Sequence, residues 1–160
     1  FVLGGLRPGS CEVVASLASS HGLTVEVAGD WPRIETPAAA LDLVLRNLLD
    51  NAIKHHDRAS GRVRIEATDG PEHVVVAVAD DGPGIPASWH EAIFEPFRRV
   101  QRSAAPDGAG IGLAAVRKTL QRLGGSIEVA SDPPHARGTT FVVRWPKHVQ
   151  ALALRQTSAQ

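Results

Sequence analysis

Residues 41–58 read LDLVLRNLLDNAIKHHDR. Leu41, Val44, Leu45, Leu48, Leu49, Ala52 and Ile53 fall at i, i+3, i+4, i+7, i+8, i+11 and i+12. That spacing predicts one continuous apolar stripe on a helix starting after Pro37. The opposite face carries Asn47, Asn51, Lys54, His55 and Arg58 at spacings of three and four. On helix statistics alone this is a solvated face, but Asn is a weak helix former, and two of them mid-helix cost a few tenths of a kcal/mol each, a cost that a functional role would offset. An amide oxygen is a hard ligand suited to Mg²⁺, and Lys54 lies three residues on, within reach of a phosphate oxygen.

Working outward, Leu23, Val25 and Val27 alternate with polar residues and predict a strand. Residues 10–21 predict a short helix capped by Ser10 and stopped at Gly22. A short strand is expected at 33–35. Residues 62–68 and 73–79 predict an antiparallel hairpin turning at Asp69-Gly70-Pro71. From Asp80 to about Gly112 Gly and Pro are dense, with a short helical stretch only near 88–94. A loop of that length in a compact domain points to function. A second amphipathic helix is expected from about Gly110 to Leu123, stopped by Gly124-Gly125. Two last strands follow near 126–131 and 139–145. Strands and helices interleave without regular βαβ alternation, which predicts an α/β sandwich: a mixed, mostly antiparallel sheet with helices on one face.

The 160 residues suffice for one domain with a substantial core, and 43% apolar with 21% charged residues describes a globular chain. Seventeen Lys plus Arg balance seventeen Asp plus Glu. Binding to nucleic acid or an anionic membrane through bulk charge is thereby disfavoured. One cysteine, Cys11, excludes an internal disulfide and a Cys-based zinc cluster. No apolar run approaches the roughly 18 residues of a transmembrane helix. The chain contains no Met, which suggests a piece of a longer protein. We expect one domain over 1–146 and a tail over 147–160.

Three further stretches carry chemistry. Asp80-Asp81-Gly82-Pro83-Gly84-Ile85 closes the apolar run Val74 to Ala79 with a carboxylate, and its two glycines allow a flat ligand close to the backbone. Taken alone it is equally an ordinary turn. Gly108-Ala109-Gly110-Ile111-Gly112-Leu113 opens a helix and so offers backbone amides to an anion. A dinucleotide fingerprint needs a strand directly before it, and 102–107 is no strand; the Walker pattern is absent. Ile93-Phe94-Glu95-Pro96-Phe97-Arg98-Arg99 brings two of the four Phe residues beside arginines, with Arg102 close behind. It reads as a core plug, with the arginines solvated or gathered around phosphate. Trp31, Trp89 and Trp145 read as packing residues.

The order of these stretches is more specific than any one of them. Asn-x-x-x-Asn-Ala-x-Lys, then Asp-x-Gly-x-Gly-Ile, then Phe-x-x-Phe-x-Arg, then Gly-x-Gly-x-Gly-Leu, then Gly138-Thr139-Thr140-Phe141, resembles the GHKL ATPase superfamily. Within it the chain is similar to the catalytic, ATP-binding domain of sensor histidine kinases over about residues 10–146. The N box is 47–54, the G1 box 80–85, the F box 94–99 and the G2 box 108–113. Asp81 stands where the family usually has Asn, and a second carboxylate next to Asp80 is expected to raise the pKa of either one by like-charge repulsion.

The resemblance implies the Bergerat-type fold, ATP and Mg²⁺ as cofactors, and a mobile lid from about Arg98 to Gly108. Asp80 is then the acceptor for the adenine amine, with Gly82, Gly84 and Ile85 beside the ring. Asn51 is the metal ligand, and Asn47 lies next to it. Lys54 and His55 line the phosphate and ribose side. Gly108, Gly110, Ile111, Gly112 and Leu113 cradle phosphate, and Arg99 reaches the γ-phosphate. Phe97, Thr139 and Thr140 add to the lining.

Superfamily members that hydrolyse ATP with water carry a Glu where this chain has Asn47, and an amide cannot take a proton. The resemblance therefore implies transfer to a histidine rather than to water. That histidine belongs to a helical-hairpin dimerisation domain, for which residues 1–40 leave no room. His56-Asp57 and His90-Glu91 are poor acceptors, because both lie in segments on the ATP side. The implied partners are that dimerisation domain and a response regulator. The chain itself is expected to be monomeric, cytoplasmic and without membrane contact. A catalytically inactive nucleotide-sensing or interaction module is the alternative.

Overall fold

The computed structural model describes residues 2–5, 16, 18–29, 31–98 and 111–148. In chain order these form β1 (Val2–Gly5), β2 (Leu23–Gly29), β3 (Arg33–Thr36), α1 (Ala38–Lys54), β4 (Gly61–Asp69), β5 (His73–Asp80), 3-10 turns at Ala87–Trp89 and Ala92–Phe94, α2 (Gly112–Leu123), β6 (Ser126–Ala130) and β7 (Thr139–Pro146).

A five-stranded sheet runs β2-β4-β5-β7-β6. Only β2 and β4 pair in parallel; the other three ladders are antiparallel. α1 lies between β2 and β4 in sequence, and such a connection lets the two strands run the same way. The last hairpin does not extend the sheet in sequence order. β7 inserts beside β5, which places Thr139 opposite Asp80 and leaves β6 at the edge. This mixed, mostly antiparallel order is not that of a dinucleotide-binding sheet.

Alternation decides which face is covered. Val63, Ile65 and Ala67 of β4, Val74, Val76 and Val78 of β5, and Phe141, Val143 and Trp145 of β7 are buried together. Against them pack Val44, Leu45, Leu48, Leu49, Ala52 and Ile53 of α1, and Val116, Leu120 and Leu123 of α2. Six of the seven stripe positions of α1 are thus fully buried, and Leu41 is half-buried. Each such side chain contributes about 1.5–3 kcal/mol. Phe94 plugs the open end of this layer. Its ring meets Phe141 edge-on at 6.3 Å and lies 5.1 Å under the Arg117 guanidinium, which Glu91 holds at 3.2 Å.

Several boundaries differ from the sequence reading. α1 ends at Lys54, with His55 as its C-cap, so Arg58 lies beyond the helix. The stretch near 88–94 is two 3-10 turns rather than a helix. β1 was not expected; it pairs antiparallel with β3 as a separate two-stranded sheet. β3 is joined to the body by the Trp145 Nε1–H, which donates to Thr36 Oγ1 at 3.0 Å between two buried side chains. The chain stays attached past Pro146: the Lys147 amide donates to Glu72 O, and Lys147 O accepts the Glu35 amide. Gly22 and Gly124 both adopt positive φ, as helix stops do. Of the expected first helix, residues 16 and 18–20 are helical; its Ser10 cap and Cys11 lie outside the described residues.

Candidate functional site

Asp80 is the last residue of β5 and is half-buried. Its Oδ1 accepts the Gly82 amide at 2.9 Å, and the carboxylate also accepts the Thr139 amide from the neighbouring strand. Burial pushes its pKa above 3.8; those two amides and His56 oppose the rise, and the charge of Asp81 adds least to it. The rise expected at either carboxylate falls on Asp80, whereas Asp81 is lowered. Burial raises its pKa, but the Arg62 amide and His56 outweigh that and hold it below 3.8. Mutual repulsion is thus a minor effect, because Asp81 has partners of its own.

The turn after Asp80 is fixed against the loop before β7. Gly138 N–H donates to Gly82 O at 2.9 Å, Ile85 N–H to Ser131 Oγ at 2.8 Å, and Ser131 Oγ–H to Gly138 O at 2.7 Å. Gly84 has φ +86°, and a Cβ on it would come within 2.9 Å of Pro133 and Ser131. Gly82 abuts the end of α1: a Cβ there would lie 3.7 Å from His55 O. Thr139 is buried and Thr140 half-buried beside this turn.

On α1, Asn51 is half-buried and Lys54 is exposed, with Lys54 Nζ held 2.8 Å from Asp50 Oδ2. Asn47 donates from Nδ2 to Leu43 O at 2.7 Å, and its Oδ1 faces the start of α2 at Gly112. Among the described residues the first amide bond of α2 is Ala115 N–H to Ile111 O, and the amides of Gly112 and Leu113 lie in the turn before it. Ile111 is exposed and Leu113 half-buried.

The structure thus brings the residue after the N box against G1 at His55 and Gly82, the N box against G2 at Asn47 and Gly112, and G1 against the last glycine box at Asp80 and Thr139. It separates the two F-box phenylalanines: Phe94 is core, whereas Phe97 has φ +64° and is 76% exposed. Arg98 pairs with Glu95 at 3.0 Å. Arg99, Arg102, Gly108 and Gly110 lie outside the described residues. Three participants escaped sequence reading. Ser131 ties Ile85 to Gly138, His56 pairs with Asp81 at 3.0 Å, and Arg137 donates to Asp57. Each joins segments distant in sequence, so no spacing marks it.

The family described as histidine kinase-, DNA gyrase B-, and HSP90-like ATPase (HATPase_c) matches residues 36–149, and the chain belongs to it. Within that class its relatives are sensor kinases. It is 36% identical over 124 residues to the alginate biosynthesis sensor protein KinB of Pseudomonas aeruginosa, covering 78% of this chain and 20% of KinB. It is 38% identical over 125 residues to the signal transduction histidine-protein kinase/phosphatase MprB of Mycobacterium sp. (strain KMS), covering 76% and 24%. The chain therefore spans a quarter or less of the length of these two relatives.

Among solved structures, the mycobacterial sensor histidine kinase MprB superposes with a TM-score of 0.77 at 29% identity, over 89% of this chain and 93% of that one. The catalytic domain of histidine kinase ThkA, nucleotide-free, gives 0.73 at 27%, over 87% and 90%. Full-length ShkA in complex with AMPPNP gives 0.74 at 29%, over 97% and 33%. The fold is the Bergerat-type fold of histidine kinase catalytic domains. No helix among the described residues is long and apolar enough to cross a membrane.

Proposed function

We propose that this chain is the ATP-binding catalytic domain of a sensor histidine kinase, passing the γ-phosphoryl group of ATP to a histidine on a separate dimerisation domain. The observation that carries the reading is Asp80: a half-buried carboxylate aimed by two backbone amides, beside the end of α1. Such an acceptor suits the exocyclic amine of adenine. A hydrogen bond to a charged group contributes about 1.5–3 kcal/mol, roughly 10- to 150-fold in affinity. Gly82, Gly84 and Ile85 then border the base, with Thr139 and Thr140 behind it.

The donor set of α1 fits a phosphate-bound Mg²⁺. Asn51 offers an amide oxygen not engaged by any described residue, and such hard oxygens are what Mg²⁺ accepts beside waters and phosphates. The metal, when bound, neutralises phosphate charge. Lys54 and His55 complete the phosphate and ribose side, and the amides at Gly112 and Leu113 face phosphate at the start of α2. Gly108, Gly110 and Arg99 belong to the same proposal, with 98–108 as the lid over the nucleotide and Phe97 at its root.

Asn47 sets the reaction class. Its amide is committed to Leu43 O and has no capacity to take a proton, so no base at this position activates water. An imidazole nitrogen is nucleophilic without such help, and catalysis reduces to positioning and charge neutralisation. The new N–P bond forms as the bond to the β–γ bridging oxygen breaks, and ADP leaves. Partners follow: the dimerisation domain and, downstream, a response regulator. By itself the chain is a monomer working where cytoplasmic ATP is available.

The test mixes the chain with a histidine-bearing dimerisation domain from a related sensor kinase and γ-labelled ATP. Acid-labile label on that histidine is expected, with slow phosphate release from the chain alone. Rapid ATP hydrolysis by the chain alone, lost in Asn47→Ala, contradicts the proposal.

A further inference from the structure

The segment leaving α1 is fastened beneath the Asp80 turn by contacts that the proposed chemistry does not use. The His56 side chain is only 3% exposed, and its Nε2 lies 3.0 Å from Asp81 Oδ1. The same Oδ1 accepts the Arg62 amide at 2.9 Å. A carboxylate only accepts, so Nε2 carries the proton. The other ring nitrogen, Nδ1, lies 3.2 Å from the Arg58 amide and 3.0 Å from Arg58 O. With Nε2 donating to Asp81, Nδ1 accepts from the Arg58 amide, so both ring nitrogens have partners.

Gly61 makes room for this pair. A Cβ there would fall 2.0 Å from His56 Nε2, 2.5 Å from Cε1 and 2.7 Å from Asp81 Oδ1. Its φ is not in the left-handed region, so the missing side chain is what the site uses. A second strap runs parallel. Arg137 Nη2 donates to Asp57 Oδ1 at 2.5 Å and lies 3.5 Å from Asp81 O. The next residue, Gly138, presses on Asp80: a Cβ on it would lie 2.3 Å from Asp80 O.

Asp80 is therefore aimed indirectly. Its carboxylate is held by two backbone amides: that of Gly82 sits in the turn that Asp81 begins, and that of Thr139 follows Gly138, whose own amide donates to Gly82 O. We propose that His56 and Asp81, seated on Gly61, form a positioning latch that aims Asp80 and so sets the preference for adenine over guanine. This rests on the reading of Asp80 as the adenine acceptor. Guanine presents a carbonyl where adenine presents an amine, so a well-aimed carboxylate attracts one and repels the other. Loosening the aim weakens ATP while leaving GTP little changed. A role in stability alone would not move that ratio.

The experiment titrates ATP and GTP into the chain by calorimetry, with thermal unfolding on each variant. His56→Ala and Gly61→Ala are expected to weaken ATP by about 3- to 30-fold, the size of one lost hydrogen bond, with little change for GTP. His56→Gln, whose amide nitrogen also donates toward Asp81, recovers most of the ATP affinity. His56→Phe keeps a buried ring without nitrogens and replaces the alanine variant if that fails to fold. An unchanged ATP-to-GTP ratio in folded His56 and Gly61 variants overturns the latch. Asp80→Asn separates the two readings: if it too leaves ATP binding intact, the adenine assignment falls and takes the latch with it. If Asp80→Asn abolishes binding while the latch variants do not matter, the latch alone is wrong.

Discussion

Asn47 Oδ1 occupies the space that a side chain on Gly112 would need: a Cβ built there lies only 2.6 Å away. The first residue of α2 thus packs against the middle of α1, and a side chain there requires the Asn47 amide to shift. Gly112→Ala is expected to push Asn47 off Leu43 O, at a net cost within about 1 kcal/mol because Ala is the better helix former. ATP affinity should fall with it. Asn47→Ala in the same chain should relieve part of the loss. A double-mutant cycle on the melting temperature checks this, since neighbours that clash are not additive.

The pKa of Asp80 gives a pH dependence of definite sign. Burial holds the folded-state value above the ordinary 3.8. The folded state then binds the proton more tightly than the unfolded chain. This carboxyl therefore costs stability as pH rises from 3.8 through the raised value, and the cost is complete above it. Asp80→Asn is expected to melt at the same or a higher temperature near neutral pH and to lose that pH dependence. Nucleotide affinity is expected to run the opposite way, because the proposed contact to adenine needs the ionised carboxylate. It should fall on acidification at a higher pH than an unperturbed carboxylate would give. Calorimetric titrations across that range, alongside Asp80→Asn, check both signs.

Much of this was legible in the sequence. The 3.6-residue stripe from Leu41 to Ile53 defined α1, and the alternation in 62–79 defined the β4–β5 hairpin, because both are local periodicities produced by burial on one side. The box residues were legible as an ordered series. What the sequence did not reveal is pairing across distance. β1 has no strong alternation, and β7 enters the sheet between β5 and β6 through contacts far apart in the chain. His56, read in the sequence only as a poor phosphoryl acceptor, and Asp81, read as a substitution for Asn, are 25 residues apart, and only the fold joins them. Phe94 and Phe97 share a motif, yet the positive φ of Phe97 sends one outward and leaves the other in the core.

Asn51 separates metal from nucleotide. Asn51→Ala is expected to leave ATP binding in EDTA nearly unchanged and to remove most of the gain that Mg²⁺ brings. Paired titrations with and without Mg²⁺ read this directly. An equal loss in both conditions would place Asn51 on the nucleotide rather than on the metal.

The bond between Trp145 and Thr36 is buried at both ends. Thr36→Val leaves the indole N–H without a partner, which costs about 1–3 kcal/mol. Adding Trp145→Phe should cost less than the two single changes summed, since the unpaired donor is then gone. Denaturant unfolding of the three variants measures the coupling.

Titrating ATP into the chain by calorimetry, with and without Mg²⁺ and beside Asp80→Asn, tests the nucleotide site built around Asp80. Micromolar binding that strengthens with Mg²⁺ and weakens by about 10- to 150-fold in Asp80→Asn is the predicted result. A folded chain that binds no ATP, or binds it equally well without the Asp80 carboxylate, contradicts the account.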